Sequence, residues 1–324
     1  MRVAEPFYSC GAFLKNWCFD SCLRRPNRAA LPVISVGNLT TGGTGKTPTV
    51  AWLIHWLQSQ GLRPGIVSRG YRSLDGQAND EKLLLDSLCP GVPHLQNRDR
   101  VAATRQIASD QVCDVIVLDD GFQHRRLHRD VDLVLIDALQ PWGYHHLLPR
   151  GLLREPVSSL KRASAILLTR TDQASPPQLA EIQRRVESVT AAPFVHGHFE
   201  TVCLVNSHGE AIPIESLRDR RMFAFAAIGN PAGFRRTLIG NGVSVDNDRF
   251  QTFPDHHHYS RRDLIQIEQS ALRQNATCLL TTHKDLVKID SPTIGGLPVW
   301  AIEIELKITR GGDAFAKILQ SALR

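Results

Sequence analysis

The chain has 324 residues, 42% of them hydrophobic and 22% charged, with a formal net charge of +6. That length and balance exclude a disordered chain and allow one large domain or two ordinary ones. The positive balance favours an anionic partner, and nucleic acid is the weakest choice because no basic cluster is interleaved with aromatics; phosphorylated substrates and acidic lipid headgroups remain.

The first apolar stretch, residues 6–28, is too interrupted by Lys15 and Asp20 to span a bilayer. Read as a helix, it brings Phe7, Leu14, Trp17 and Cys18 together, with Arg24, Arg25 and Arg28 beyond. Aromatics beside a basic cluster suit a helix lying in a membrane interface; the alternative is a helix packed on the protein's own core. Seven cysteines (Cys10, Cys18, Cys22, Cys89, Cys113, Cys203 and Cys278) are scattered and odd in number, which is no disulfide framework and points to a reducing compartment.

Next comes a β-branched run, 32–38, then "LTTGGTGKTP", then the helical 48–61 with Val50, Leu53, Ile54 and Leu57 on one face and Gly61 as its stop. Strand, glycine loop and helix in that order make a phosphate-binding loop of Thr40, Thr41, Gly42, Gly43, Thr44, Gly45, Lys46 and Thr47. The glycines let backbone N–H groups converge on an anion at the helix start. Lys46 would reach the β- and γ-phosphates of ATP, and the Thr47 hydroxyl would ligate Mg²⁺. Thr40 stands where the usual pattern has glycine, which matters only if the backbone there needs positive φ.

Further strands follow at 64–71, 114–121, 131–138 and 164–172, with helices at 99–109 and 175–189 among them. This alternation predicts a doubly wound, mainly parallel α/β sheet of the P-loop NTPase type, with ligands outside the carboxyl ends of the strands. Ser68, Arg69 and Tyr71 lie at one such end; Arg69 is a candidate substrate contact. "VIVLDDG" has the form of a Walker B strand, so Asp119 and Asp120 are candidate Mg²⁺ ligands, with Gly121 allowing the chain to turn. The stretch 119–130 then packs Gln123, His124, Arg125, Arg126, His128 and Arg129 together, where arginines could bind phosphate bidentately or else form a solvated basic loop. Arg154 in "LLREP" reads equally as a phosphate neutraliser or a structural ion pair, and "TRTD" (169–172) occupies the base-reading position of related folds only by analogy.

Residues 199–217 read as two short strands around "NSHGE", a linker to a second, smaller alternation of strand and helix. The expected layout is therefore an interface helix region at 1–30, an ATP-binding domain at 31–198, the linker at 199–217 and a smaller α/β domain at 218–324. His256, His257 and His258 in a row invite a zinc reading, but consecutive residues cannot all face one ion and no Cys or Glu spacing supports it. His283, Lys284 and Asp285 end a strand of this second domain and could contact nucleotide or fix domain closure.

Six motifs in this order, "VISVGNLTTGGTGKTP", "IVSRGYR", "LDDGFQHRRLHRD", "LLREP", "FPDHHHYS" and "TTHKDLVK", resemble the tetraacyldisaccharide 4′-kinases of lipid A synthesis. That family carries threonine where the common phosphate loop has glycine, so Thr40 fits the resemblance. The resemblance implies transfer of the ATP γ-phosphoryl to the 4′-hydroxyl of a tetraacylated glucosamine disaccharide 1-phosphate. It implies Mg²⁺, a two-part α/β architecture, and a peripheral place on an anionic membrane surface, the cytoplasmic face of the Gram-negative inner membrane, with no obligate protein partner. It also implies a base system pairing Asp80, from "ANDEK", with His256; Asn79 and Lys82 depart from the family's glycine and proline around Asp80. Since His256 comes late in the chain, the two domains are expected to approach for catalysis. The competing readings are a soluble phosphate-loop kinase or ligase for a small metabolite, and a nucleotide-switch ATPase with no phosphorylated product.

Overall fold

In the computed structural model, which describes residues 5–70, 79–217, 220–243 and 245–323, strand and helix alternate along the runs marked out by the sequence. Tyr71 and Ala78 lie outside the described residues. The first half runs α1 (Glu5–Asp20), β1 (Val33–Asn38), α2 (Lys46–Ser59), β2 (Pro64–Ser68), α3 (Asp80–Leu88), β3 (His94–Gln96), α4 (Arg100–Ser109), β4 (Val115–Asp119) and β5 (Val131–Asp137). Then come β6 (Ala165–Thr169), α5 (Pro176–Glu187), β7 (Phe194–Val205), β8 (Ala211–Ile212), β9 (Met222–Ala226), α6 (Pro231–Gly240) and β10 (Phe250–Thr252). The chain ends with α7 (Arg261–Arg273), β11 (Cys278–Thr282), the short α8 (His283–Leu286), β12 (Thr293–Ile294), β13 (Leu297–Arg310) and α9 (Gly312–Ala322).

The chain divides into two compact units: Met1–Gln77 with Leu88–Phe199 and Leu306–Arg324, and Ala78–Ser87 with Glu200–Glu305. This differs from a linear division at a 199–217 linker. The strands β7 and β13 are 12 and 14 residues long, and each has one part in each unit, divided after Phe199 and after Glu305. Helix α3 goes with the second unit, tied by hydrogen bonds of Asp80 to His256 and Ser87 to His283.

In the first unit the strands lie parallel in the order β7-β6-β5-β1-β4-β2-β3, so β1, the strand feeding the glycine loop, sits between β5 and β4. Both sheet faces are apolar because both are covered. Val134, Ile136, Ile166 and Leu168 meet Ile182 and Val186 of α5 on one side; Val33, Val67, Ile116 and Leu118 meet Val101 and Ile107 of α4 on the other. The four residues expected on one face of α2 (Val50, Leu53, Ile54 and Leu57) are fully buried, each worth roughly 1.5–3 kcal/mol of apolar burial. Gly61 follows α2 at φ 79°, the left-handed exit for which glycine is favoured.

The second unit has the parallel order β10-β9-β11-β13, with β12 added antiparallel to β13. Alternation along β9 decides its two cores. Met222, Ala224 and Ala226 face Phe234 and Leu238 of α6, while Phe223 and Phe225 pack with Ile267 and Ala271 of α7. Helix α7 begins with a capping box in which Ser260 and Asp263 satisfy each other's backbone N–H.

Candidate functional site

Strand β1 ends at Asn38, and the loop Thr40–Thr47 follows, its last two residues opening α2. Thr40 does not adopt positive φ; it is buried and bridges antiparallel to Leu153, so no glycine is required there. Gly42 (φ 118°) and Gly45 (φ 89°) take the left-handed turns instead, and α2 starts at Lys46 with Gly45 as its N-cap. A Cβ on Gly45 would stand 2.1 Å from the Phe199 ring, a second reason for glycine there. The loop is braced from behind: Thr41 N–H donates to Leu152 O (2.7 Å), Asn38 Nδ2 to Thr44 Oγ1 (2.9 Å) and Thr169 Oγ1 to Thr44 O (3.1 Å). Arg170 donates to Gly43 O at 2.7 Å and pairs with Asp137. Space opens around Gly42 and Gly43, where an added Cβ would meet nothing within 4 Å.

Strand β4 delivers the acids beside this loop, with Asp119 level with Val36 of β1. Asp119 closes the strand and is buried; Asp120 is already in the left-handed region at φ 53°. The turn therefore begins at Asp120, not at Gly121 as the sequence suggests. Gly121 is needed for close packing: a Cβ there would lie 2.5 Å from Leu118 and 2.6 Å from Ser35. Lys46 Nζ stands 3.7 Å from Asp120, and Arg154 Nη1 is 2.8 Å from both of its carboxylate oxygens. Burial opposes the Asp120 charge, but Lys46 and Arg154 outweigh it and hold the carboxyl below its ordinary range.

Among the described residues no three His, Cys, Asp or Glu side chains converge to hold an ion unaided. A Mg²⁺ site on Thr47, Asp119 and Asp120 would draw most of its oxygens from phosphate and water, which suits this open loop and its adjacent carboxylates.

The basic stretch has divided duties. Gln123 Nε2 donates to Asn38 O (2.9 Å), while its Oε1 takes Arg154 Nη1 at 3.5 Å. His124 accepts Arg100 Nη1 on Nδ1 at 3.0 Å, which puts its proton on Nε2. Burial, then Arg100 and its cationic neighbours, push His124 down to about 4, so it is a neutral donor. Arg125 is engaged by α1: it donates to Asn16 O (3.0 Å) and Asp20 (2.6 Å) and lies over Phe19. Arg69 follows β2, and its charge adds to the burial that lowers the Arg100 pKa. Arg100 escaped the sequence reading. It is buried and reaches Asp120 O (3.4 Å) as well as His124, yet in the sequence it is an ordinary arginine after the N-cap Asp99.

Helix α1 is inverted relative to an ordinary surface helix. Its inner side is polar: Glu5 meets His146 and Arg150, Tyr8 Oη donates to Arg154 O (3.1 Å), and Lys15 donates to Gln123 O (2.8 Å). Asn16 is its buried residue. Its outer side leaves Phe7, Phe13, Leu14 and Trp17 exposed, and Arg24, Arg25 and Arg28 beyond it are exposed as well. No described helix is long and apolar enough to cross a membrane.

In the second unit, Asp80 opens α3 and meets His256 at 2.8 Å, Oδ2 to Nδ1. Asp80 also accepts from Glu81 N–H at 3.0 Å. Burial raises its pKa, but the His256 hydrogen bond and Lys284 dominate and hold it at about 2. His256 occupies the left-handed region at φ 62°, with its N–H on Ala227 O at 3.3 Å. His257 turns away to Asp263 and stacks on Phe253. Lys284 joins the Asp80 pair, whereas burial pushes His283 down to about 4, so its 3.4 Å approach to Glu303 is not an ion pair.

A family model described as Tetraacyldisaccharide-1-P 4'-kinase matches residues 1–324. A relative from Syntrophus aciditrophicus (strain SB), named Tetraacyldisaccharide 4'-kinase, is 36% identical over 95% of this chain and 88% of its own. Another so named, from Anaeromyxobacter dehalogenans (strain 2CP-C), is 36% identical over 100% of this chain and 89% of its own. The crystal structure of an "apo" form of LpxK from Aquifex aeolicus in complex with ATP superposes with TM-score 0.79 at 30% identity, covering 99% of this chain and 97% of that one.

Proposed function

The chain belongs to the tetraacyldisaccharide-1-P 4′-kinase family, and from that membership we propose how its residues carry out the reaction. The protein is an ATP-dependent kinase that moves the γ-phosphoryl to the 4′-hydroxyl of a tetraacyldisaccharide 1-phosphate. The observation that carries the residue assignment is the convergence of Lys46, Asp120 and Arg154 beside an open glycine turn at one strand rim.

The loop from Thr40 to Thr47 cradles the triphosphate with backbone N–H groups, and Lys46 bears on its β- and γ-oxygens. Arg154, held by Asp120 and Gln123, offers its guanidinium to charge developing on the transferring group. Asp119, Asp120 and Thr47 would hold Mg²⁺, which when bound spreads the phosphate charge. His256, oriented by Asp80, takes the 4′-hydroxyl proton on Nε2. The hydroxyl oxygen forms its bond to the γ-phosphorus as the bond to the β–γ bridging oxygen breaks and ADP leaves. In this reading Arg69, Gln123 and His124 would contact the substrate, and Arg125 acts through α1.

The outward apolar face of α1, with the arginines that follow it, supports a peripheral seat on an anionic membrane surface, the cytoplasmic face of the inner membrane. The division of labour, nucleotide in the first unit and base in the second, follows the same reading. Incubation with γ-labelled ATP and acylated disaccharide 1-phosphate should place label in a lipid-soluble product. Label appearing only in inorganic phosphate or in a water-soluble product would overturn the reading.

A further inference from the structure

Two carboxylates bracket the His256 ring. Asp80 Oδ2 lies 2.8 Å from Nδ1, and Asp255 Oδ2 lies 3.7 Å from Nε2. Both charges favour the imidazolium, which has no lone pair left for a hydroxyl proton. A base so placed needs an opposing charge, and one is present: Lys284 Nζ stands 3.5 Å from His256 Nε2, 3.5 Å from Asp255 Oδ1 and 3.6 Å from Asp80 Oδ2.

We propose that Lys284 is the counter-charge that keeps His256 Nε2 free of a proton, and is thus a positioning residue of the acceptor-activating pair. The inference rests on the reading of Asp80 and His256 as that pair.

The turn that carries Lys284 is built into the same spot. Asp285, fully buried, accepts from Ala227 N–H (3.0 Å) and Thr282 Oγ1 (2.7 Å), while Ala227 O receives the N–H of His256. Lys288 Nζ pairs with Asp285 at 2.7 Å and donates to His257 O at 3.1 Å. So α8 and the residue after next fix the backbone on both sides of His256 while presenting Lys284 to its ring. Among the described residues, the charged groups facing His256 are Asp80 from α3, Asp255 from its own loop and Lys284 from α8. Lys288 is committed to Asp285, and His257 to Asp263.

The sign of this effect makes it testable. Removing the positive charge beside Nε2 leaves the two carboxylates unopposed, so in Lys284→Met the acidic limb of kcat should move to higher pH by about one unit. Turnover then falls up to about tenfold at neutral pH and recovers near pH 9. Lys284→Arg should restore the parent profile, and Asp80→Asn should move the limb the opposite way. A purely structural role predicts a loss that is equal at every pH, and that result overturns the proposal. A Lys284→Met profile superimposed on the parent, while His256→Ala remains slow, overturns it as well but leaves the base reading standing. If His256→Ala keeps both the parent rate and the parent limb, the base reading itself falls and takes the proposal with it.

Discussion

Replacing Phe7, Phe13, Leu14 and Trp17 together with serine tests the membrane role of α1. These side chains are 77%, 70%, 55% and 48% exposed. At ~1.5–3 kcal/mol for complete burial of a large apolar side chain, that exposed surface is worth roughly 4–7 kcal/mol to a helix laid in an interface. Each 1.4 kcal/mol is about tenfold, so vesicle partitioning should fall by at least about a hundredfold even if burial is incomplete. The contacts that dock α1, from Glu5, Tyr8, Lys15 and Asn16, are untouched, so thermal midpoint and ATP affinity should stay at parent values. Co-sedimentation with phosphatidylglycerol vesicles in low and high salt reads the effect. The residual binding should be the salt-sensitive part, from Arg24, Arg25 and Arg28, at about 1 kcal/mol each near an anionic surface. Equal recovery of variant and parent on the vesicles would refute the reasoning.

Lys46→Ala and Asp119→Ala should each lower kcat/KM at least about a hundredfold; near-parent turnover in either removes that residue from the site. Asp80→Ala and His256→Ala should chiefly lower kcat, and the double variant should lose far less than the product of the two, since one removes the orienter of the other. Fully multiplicative losses speak against a single unit. Asp80, held at about 2 against an ordinary 3.8, stabilises the fold by up to about 2 kcal/mol at neutral pH. Because the folded value is the lower one, that contribution is complete above pH 4–5 and fades as pH falls toward 2. The stability deficit of Asp80→Asn in denaturant titrations should accordingly shrink between pH 6 and pH 3; a constant deficit counts against the charge pairing.

The first unit was legible because its signals are local. A β-branched run, a glycine loop and an amphipathic helix in sequence order specify one supersecondary unit, and the structure places Val50, Leu53, Ile54 and Leu57 on a single buried face. Helix α3 was missed because its three consecutive leucines show no period and only Leu84 and Leu85 are buried, while Asp80 turns to His256. Its place in the second unit is a long-range fact: the partners are 176 residues apart. The same distance hid the unit boundary inside β7 and β13, since a strand shared by two units reads like any other strand. Arg100 went unassigned for a related reason: it sits in an unremarkable local pattern and gains its role only from what the fold brings beside it. Lys284 lies in the "TTHKDLVK" motif, but its place beside His256 is set by the fold alone.

One feature common to both clusters has no sequence signature at all. Asp120, Arg170 and His256 are non-glycine residues in the left-handed region, at φ 53°, 57° and 62°. Gln111 and Asn275 share that conformation, but they follow the ends of α4 and α7, where it is the ordinary way out of a helix. Asp120 and His256 follow no helix, and Arg170 leads into the short 3-10 turn Thr171–Gln173; each of these costs about 1–2 kcal/mol that the surroundings must offset. Those surroundings are identifiable: Arg100 on the Asp120 carbonyl with Arg154 on its carboxylate, Gly43 and Asp137 on the Arg170 guanidinium, Ala227 on the His256 amide. Each side chain is set beside its partner: Asp120 to Lys46, Arg170 to the glycine loop, His256 to Asp80. Aiming a side chain this way needs several fixed partners at once, which accounts for buried polar groups around the two clusters that themselves have no part in the chemistry.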